Sequence, residues 1–121
     1  MKYMFLLYGP DLPEPGSEEG RTLLRDWSVA RRAMEEAGVL IDCAPLYPVT
    51  SSTTVRVRDG ETLLTDGPAA EIKEHFGGFT LIECADLDEA LKWAERIPTA
   101  RDGSVEVRPV VGVQQPDQAP A

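Results

Sequence analysis

The chain has 121 residues, 42% of them hydrophobic and 27% charged, which fits one soluble domain with a modest core. Its formal net charge is −9, and that excludes nucleic acid and anionic membrane as natural partners, because both are held by clustered Lys and Arg. Cys43 and Cys84 are far apart, form no C-x-x-C motif and belong to no Cys/His cluster of zinc spacing. They read as small buried hydrophobes in a reducing cytoplasm, with no metal site.

Residues 2–8 form an apolar and aromatic run, a buried first strand ending at Tyr8. The run is too short to span a bilayer, and the Gly9-Pro10-Asp11-Leu12-Pro13 that follows is a poor signal-peptidase site. A Pro- and Gly-rich loop occupies 9–16. Ser17 caps a helix with Glu18 and Glu19 in its first turn. Its apolar face is Leu23, Trp27, Ala30, Met34 and Ala37, and Gly38 is its natural stop. Residues 39–47 read as extended, with Pro45 marking an edge or an early end to pairing. The alternating 53–58 and 61–65 flank Asp59-Gly60, a hairpin with a type I′ turn that sets Arg58 opposite Glu61.

Asp66-Gly67-Pro68 predicts a turn into a short helix that leads to a strand over 79–84. Asp86 caps a second helix with Leu87, Ala90, Leu91 and Ala94 as its apolar face, stopped by Pro98. The last strand alternates over 105–110. One domain therefore covers 1–111, and 112–121, rich in Gln, Pro and Ala, reads as a mobile tail. The order β-α-β, hairpin, β-α-β predicts an α+β fold, a ferredoxin-like split βαβ sandwich with an inserted hairpin. Two helices cover one face of such a sheet. The apolar first strand then calls for a second copy on the other face, a homodimer packed sheet to sheet.

The densest chemistry lies in 66–79, which holds the chain's one histidine and a Gly-Gly pair. Asp66 either caps the short helix or acts as a catalytic carboxylate, and the helix start itself would offer free N–H groups to an anion. On a helical turn Glu71 and His75 stand at i and i+4, where the carboxylate orients the ring as a general base or favours its charged form; otherwise they belong to a solvated turn. Two such groups are too few for a metal. Gly77 and Gly78 are either a flexible exit or a place where a ligand or another backbone comes close. Tyr8 offers a hydroxyl to a pocket or packs at its rim. Arg56, Arg58 and Arg108 are exposed partners of Glu61 and Glu106, or hold a substrate carboxylate.

The ordered set Met1-Lys2-Tyr3-Met4, Thr54 to Gly60, Thr65-Asp66-Gly67-Pro68, Glu71-Ile72-Lys73-Glu74, Gly77-Gly78-Phe79, Asp86 to Ala90 and Gly103 to Pro109 resembles the YCII-related family in its DGPF-domain branch. The resemblance implies a dimeric α+β barrel, a bacterial cytoplasmic setting and genes beside extracytoplasmic-function sigma factors. Relatives are thought to use a His–Asp pair, but the first helix and second strand carry no histidine here. Ala69 stands where the family's motif has Phe, and His75 where Gln is commoner.

The reading is a small-molecule enzyme doing cofactor-free proton transfer (isomerisation, cyclisation or elimination) in a pocket beside 66–78. Asp66, Glu71 and His75 are its catalytic candidates, and Tyr8, Gly67, Ala69, Lys73, Gly77 and Gly78 its ligand contacts. The alternative is a non-catalytic ligand-binding or regulatory dimer linked to sigma-factor signalling, and a third reading makes the motif an architectural turn.

Overall fold

The computed structural model describes residues 1–71 and 73–112. In chain order the elements are β1 (Lys2–Gly9), α1 (Glu18–Glu36), β2 (Leu40–Pro45), a single 3-10 turn (Val49–Ser51), β3 (Thr53–Arg58), β4 (Glu61–Asp66), β5 (His75–Glu83), α2 (Leu87–Ala94), the one-turn α3 (Thr99–Asp102) and β6 (Ser104–Pro109). Four strands form one antiparallel sheet in the order β2-β5-β1-β6, and β3-β4 stand as a separate two-stranded sheet. Without the hairpin, the four sheet strands have the order and the two intervening helical crossovers of a ferredoxin-like α+β sandwich. The tail reading lies outside the described residues from 113 onward.

Alternation along β1 decides where the core sits. Tyr3, Phe5 and Leu7 are buried and pack with Ile82 and Cys84 beneath Met34 of α1 and Ala90 and Ala94 of α2. Phe5, Met34 and Ile82 are fully enclosed, each contributing about 1.5–3 kcal/mol of apolar burial. The intervening residues pair on the opposite face, Met4 with Leu81, Leu6 with Phe79 and Tyr8 with Phe76, and they are only half-buried. This bare apolar face is the one the helices leave uncovered.

The local signals act as their chemistry requires. Ser17 Oγ accepts from the Gly20 amide, and Gly38 takes a positive φ of 73° just past α1. Asp59 (φ 51°) and Gly60 (φ 77°) make the hairpin turn. Arg58 and Glu61 are register partners, but the guanidinium donates to Val57 O instead. Ala37 is exposed rather than part of the α1 face. The inward face of α2 is also rotated from the expected one. Ala90, Ala94 and Ile97 are buried with Trp93 packed beside them, whereas Leu87 and Leu91 are exposed. Two alanines let the helix approach the sheet closely, and Ile97 completes that side one turn beyond the helix end.

The largest departure is at 66–75. Among the described residues no helix lies between Asp66 and β5; 67–71 and 73–74 hold only bends and irregular backbone, and β5 starts at His75 rather than at 79. Asp66 is the last residue of β4, paired with Thr53. Gly67 has φ +103°, and its amide donates to Ser52 O instead of standing free at a helix start. The carbonyls of Gly67 and Ala69 accept from Thr54 Oγ1 (2.7 Å) and Arg56 Nη2 (3.2 Å). The groups that a first helical turn would use are thus committed to the hairpin.

Candidate functional site

β1 and β5 are antiparallel neighbours, so the end of one meets the start of the other, and Gly9 is the register partner of His75. Two residues beyond Gly9 the chain carries Asp11. Its Oδ1 lies 3.3 Å from His75 Nδ1, with 51% and 39% of the two side chains exposed. So exposed a pair adds at most about 1 kcal/mol to stability. Its chemical consequence is orientation. When Nδ1–H donates to the carboxylate, the neutral ring presents Nε2 as an acceptor and a proton carrier. No regular pattern of spacing flags Asp11, which sits among prolines in a loop and reaches His75 only through the pairing of β1 with β5.

One step further into the sheet the register shifts between Leu7 and Tyr8. Gly78 pairs with Leu7 and Phe76 with Tyr8, leaving Gly77 as the extra residue of a β-bulge. The Tyr8 and Phe76 rings pack at 5.5 Å between centroids, tilted by 49°. They lie on the bare face, by alternation the opposite side from Gly9 and His75. Gly78 has a backbone reason for its identity, since a Cβ there would meet Ala44 O at 2.7 Å and Pro45 Cα at 3.2 Å. Gly77 O accepts from the Leu46 amide. Of the two readings of this Gly-Gly pair, close approach of another backbone is the one observed.

The other candidates fall apart in space or in chemistry. His75 is in a strand, so the helical face on which Glu71 would stand at i and i+4 from it does not exist. No hydrogen bond or ion pair joins the two residues. Asp66 is exposed at the hairpin base, where its expected helix-capping role has no helix to serve. Ala69, Glu71 and Lys73 are exposed and Gly67 is half-buried in the connection between hairpin and β5. Arg56 is engaged with Ala69 O, and Arg108 Nε lies 3.6 Å from Glu106 Oε2. Both arginines therefore have intramolecular partners.

Two clefts of about 420 Å³ each lie along α1. One is lined by Asp26, Val29, Ala30, Glu95, Arg96 and Arg101, and the other involves only α1 residues. Neither includes a residue of 66–78, so the pocket expected there is not one of these two. Among the described residues no three His, Cys, Asp or Glu side chains converge to hold a metal ion. No helix among them is long and apolar enough to cross a membrane.

The model of the YCII-related domain matches residues 1–114, nearly the whole chain. The chain belongs to the YCII-related family. An uncharacterised protein of Rhizobium meliloti (strain 1021) is 44% identical over 106 residues, spanning 86% of this chain and 85% of that one. Among solved structures, the chain is similar to the 5-chloro-2-hydroxyhydroquinone dehydrochlorinase from Burkholderia phenoliruptrix AC1100, determined in complex with 2,5-dihydroxybenzoquinone. That likeness has a TM-score of 0.46 and 16% identity, over 92% of this chain and 94% of that one.

Proposed function

We propose that this YCII-related protein is a cytoplasmic small-molecule enzyme of the family's DGPF-domain branch. Its chemistry is cofactor-free proton transfer, in an isomerisation, cyclisation or elimination. His75 moves the proton and Asp11 holds its ring. The observation that carries this reading is the 3.3 Å contact between Asp11 Oδ1 and His75 Nδ1, which pairs the chain's one histidine with a carboxylate at an accessible strand end. The reaction class follows from the groups at hand: an oriented imidazole with a free nitrogen can take a proton from a carbon acid and return it one or two atoms away. Tyr8 and Phe76 pack together on the opposite side of the sheet from His75 and so belong to the bare face rather than to this site. Gly77 and Gly78 follow His75 in β5 and Lys73 lies two residues before it, whereas Asp66, Gly67 and Ala69 stand at the hairpin base and Glu71 makes no bond to the ring. The working unit is a homodimer in which bare sheet faces meet.

Proton exchange tests the reading without knowledge of the natural substrate. A panel of enolisable 2-oxo acids and unsaturated lactones is incubated with the protein in D2O, and loss of C–H signal is followed by NMR. Accelerated exchange is expected with the wild-type chain, falling by about 10²–10⁴-fold in His75→Ala, with a smaller loss in Asp11→Asn. Equal exchange in wild type and His75→Ala removes the assignment.

A second reading is a non-catalytic ligand-binding or regulatory dimer linked to sigma-factor signalling, which does not require the ionisable groups of 66–78 to line a cavity. Chemical-shift changes on ligand addition, with no accelerated exchange for any compound that binds, would select it.

A further inference from the structure

The β3–β4 hairpin has two unlike sides. Thr54 and Arg56 lie on one, and their side chains bond the carbonyls of Gly67 and Ala69 in the same chain. Val55, Val57 and Leu64 lie on the other by strand alternation, with Val55 directly opposite Leu64. Those three are 60%, 59% and 68% exposed. The side of Thr54 and Arg56, which also carries Leu63, is therefore the one turned to its own chain, and the side of Val55, Val57 and Leu64, which also carries Thr62, turns away from it. A lone two-stranded hairpin is marginal in water, and its outer edges are unpaired. An outward β-branched and leucine face on such an element has no purpose in a solitary protomer.

The exposed area of the chain is large for its length. The chain exposes 8929 Å², whereas a compact monomer of this length exposes about 6,500 Å². Even if residues 113–121 took the full accessible area of an unfolded segment, about 1,400 Å² of excess would be left over a compact 112-residue chain. A standard interface takes about 800 Å² from each partner, so the excess is of the size that a stable dimer covers. The bare face of the main sheet contributes too, with Met4, Leu6, Tyr8, Phe79 and Leu81 only half-buried. The apolar character of both surfaces suits a second copy of the same chain, because each copy supplies what the other must cover.

We infer that the hairpin is an intermolecular arm whose Val55, Val57 and Leu64 face packs against a second copy of this chain. The arm adds to the sheet-to-sheet contact and is needed to hold it. Sedimentation of the wild-type protein at micromolar concentration is expected to give a dimer. Val55→Asp with Leu64→Asp is expected to give a folded monomer by circular dichroism, with at least a hundredfold weaker association. Leu24→Asp, on the exposed side of α1, is expected to leave the dimer intact. A photo-crosslinking residue in place of Leu64, with one copy isotopically heavy and the other light, gives heavy–light adducts if the arm reaches across.

A wild-type monomer overturns the inference. So does a dimer of unchanged affinity in the hairpin double variant, or adducts found only within one copy, including on the 113–121 peptide. The hairpin contact and the chemistry at His75 fail separately. A monomer with His75-dependent exchange loses the arm and keeps the reaction, while an arm-held dimer with no such exchange does the reverse.

Discussion

The main sheet and the β3–β4 hairpin are written in the same alternating code, yet they stand in opposite physical situations. In β1 every second residue from Tyr3 to Leu7 is enclosed by α1 and α2. In β3 every second residue from Val55 to Val57 faces outward and uncovered. Alternation thus specifies a strand and its faces, but not what covers them. Cover comes from the rest of the chain in the first case and, on the inference above, from a second chain in the other. The connection that begins at Gly67 links the two regions, and the backbone groups of Gly67 and Ala69 serve the hairpin.

The comparison breaks most visibly under truncation. Phe5→Ala is expected to cost about 3–5 kcal/mol, read as a lowered urea midpoint already present in dilute, monomeric protein. Val55→Ala or Leu64→Ala in dilute, monomeric protein is expected to cost no more than about 0.5 kcal/mol. The same variants at high concentration should show a larger, concentration-dependent loss. A concentration-independent loss of several kcal/mol at Leu64 would mean that its own chain buries it.

Close backbone approach gives the next largest effect. Gly78→Ala places a Cβ 2.7 Å from Ala44 O, and about 1–3 kcal/mol of overpacking is expected. Gly67→Ala has open space around its added Cβ but a φ of +103°, so its smaller expected loss comes from backbone strain alone. Thermal melts of both variants rank the two causes.

Thr80 offers an effect of the opposite sign. It is fully buried between Phe5 and Cys43 in the register, and its Oγ1 finds no hydrogen-bond partner among the described residues. Thr80→Val removes an unsatisfied hydroxyl at nearly constant volume, and about 1 kcal/mol of stabilisation is expected. A destabilised variant would reveal a partner for that oxygen. Last, burial pushes the Cys84 thiol up, with the negative charge of Glu89 adding to it. A raised value leaves less thiolate at any given pH. Half-buried Cys43 should therefore be alkylated first in the folded protein, and Cys84 only as it unfolds. Faster labelling of Cys84 would contradict its enclosure.

Much of this architecture was legible in the chain. The caps at Ser17 and Asp86, the stop at Gly38 and the Asp59-Gly60 turn are local devices, and each acts as its chemistry demands. What local chemistry could not show was decided at a distance. Pro68 to Glu74 contains good helix formers, but Ser52, Thr54 and Arg56 claim the backbone groups a helix would start from. His75 to Gly78 are drawn into β5 by their pairing with β1 and by the fit of Gly78 against β2, which shifts the strand start by four residues. Asp11 was invisible for the same reason, since its partner is 64 positions away and only strand register brings them together. Ala90 and Ala94 show the same limit on a smaller scale, because periodicity alone could not tell that the small residues of α2 face inward and Leu87 and Leu91 outward.

The most direct test of the central claim, that Asp11 holds the ring of His75 for proton transfer, is a long-range 1H–15N correlation spectrum of the untagged protein. The chain has a single histidine, so the imidazole signals are unambiguous. In the neutral ring, Nδ1 is expected to be protonated and Nε2 bare. Asp11→Asn is expected to return the ring to the Nε2–H form that free imidazole side chains prefer. Identical tautomers in wild type and Asp11→Asn would contradict the pairing and the chemistry built on it.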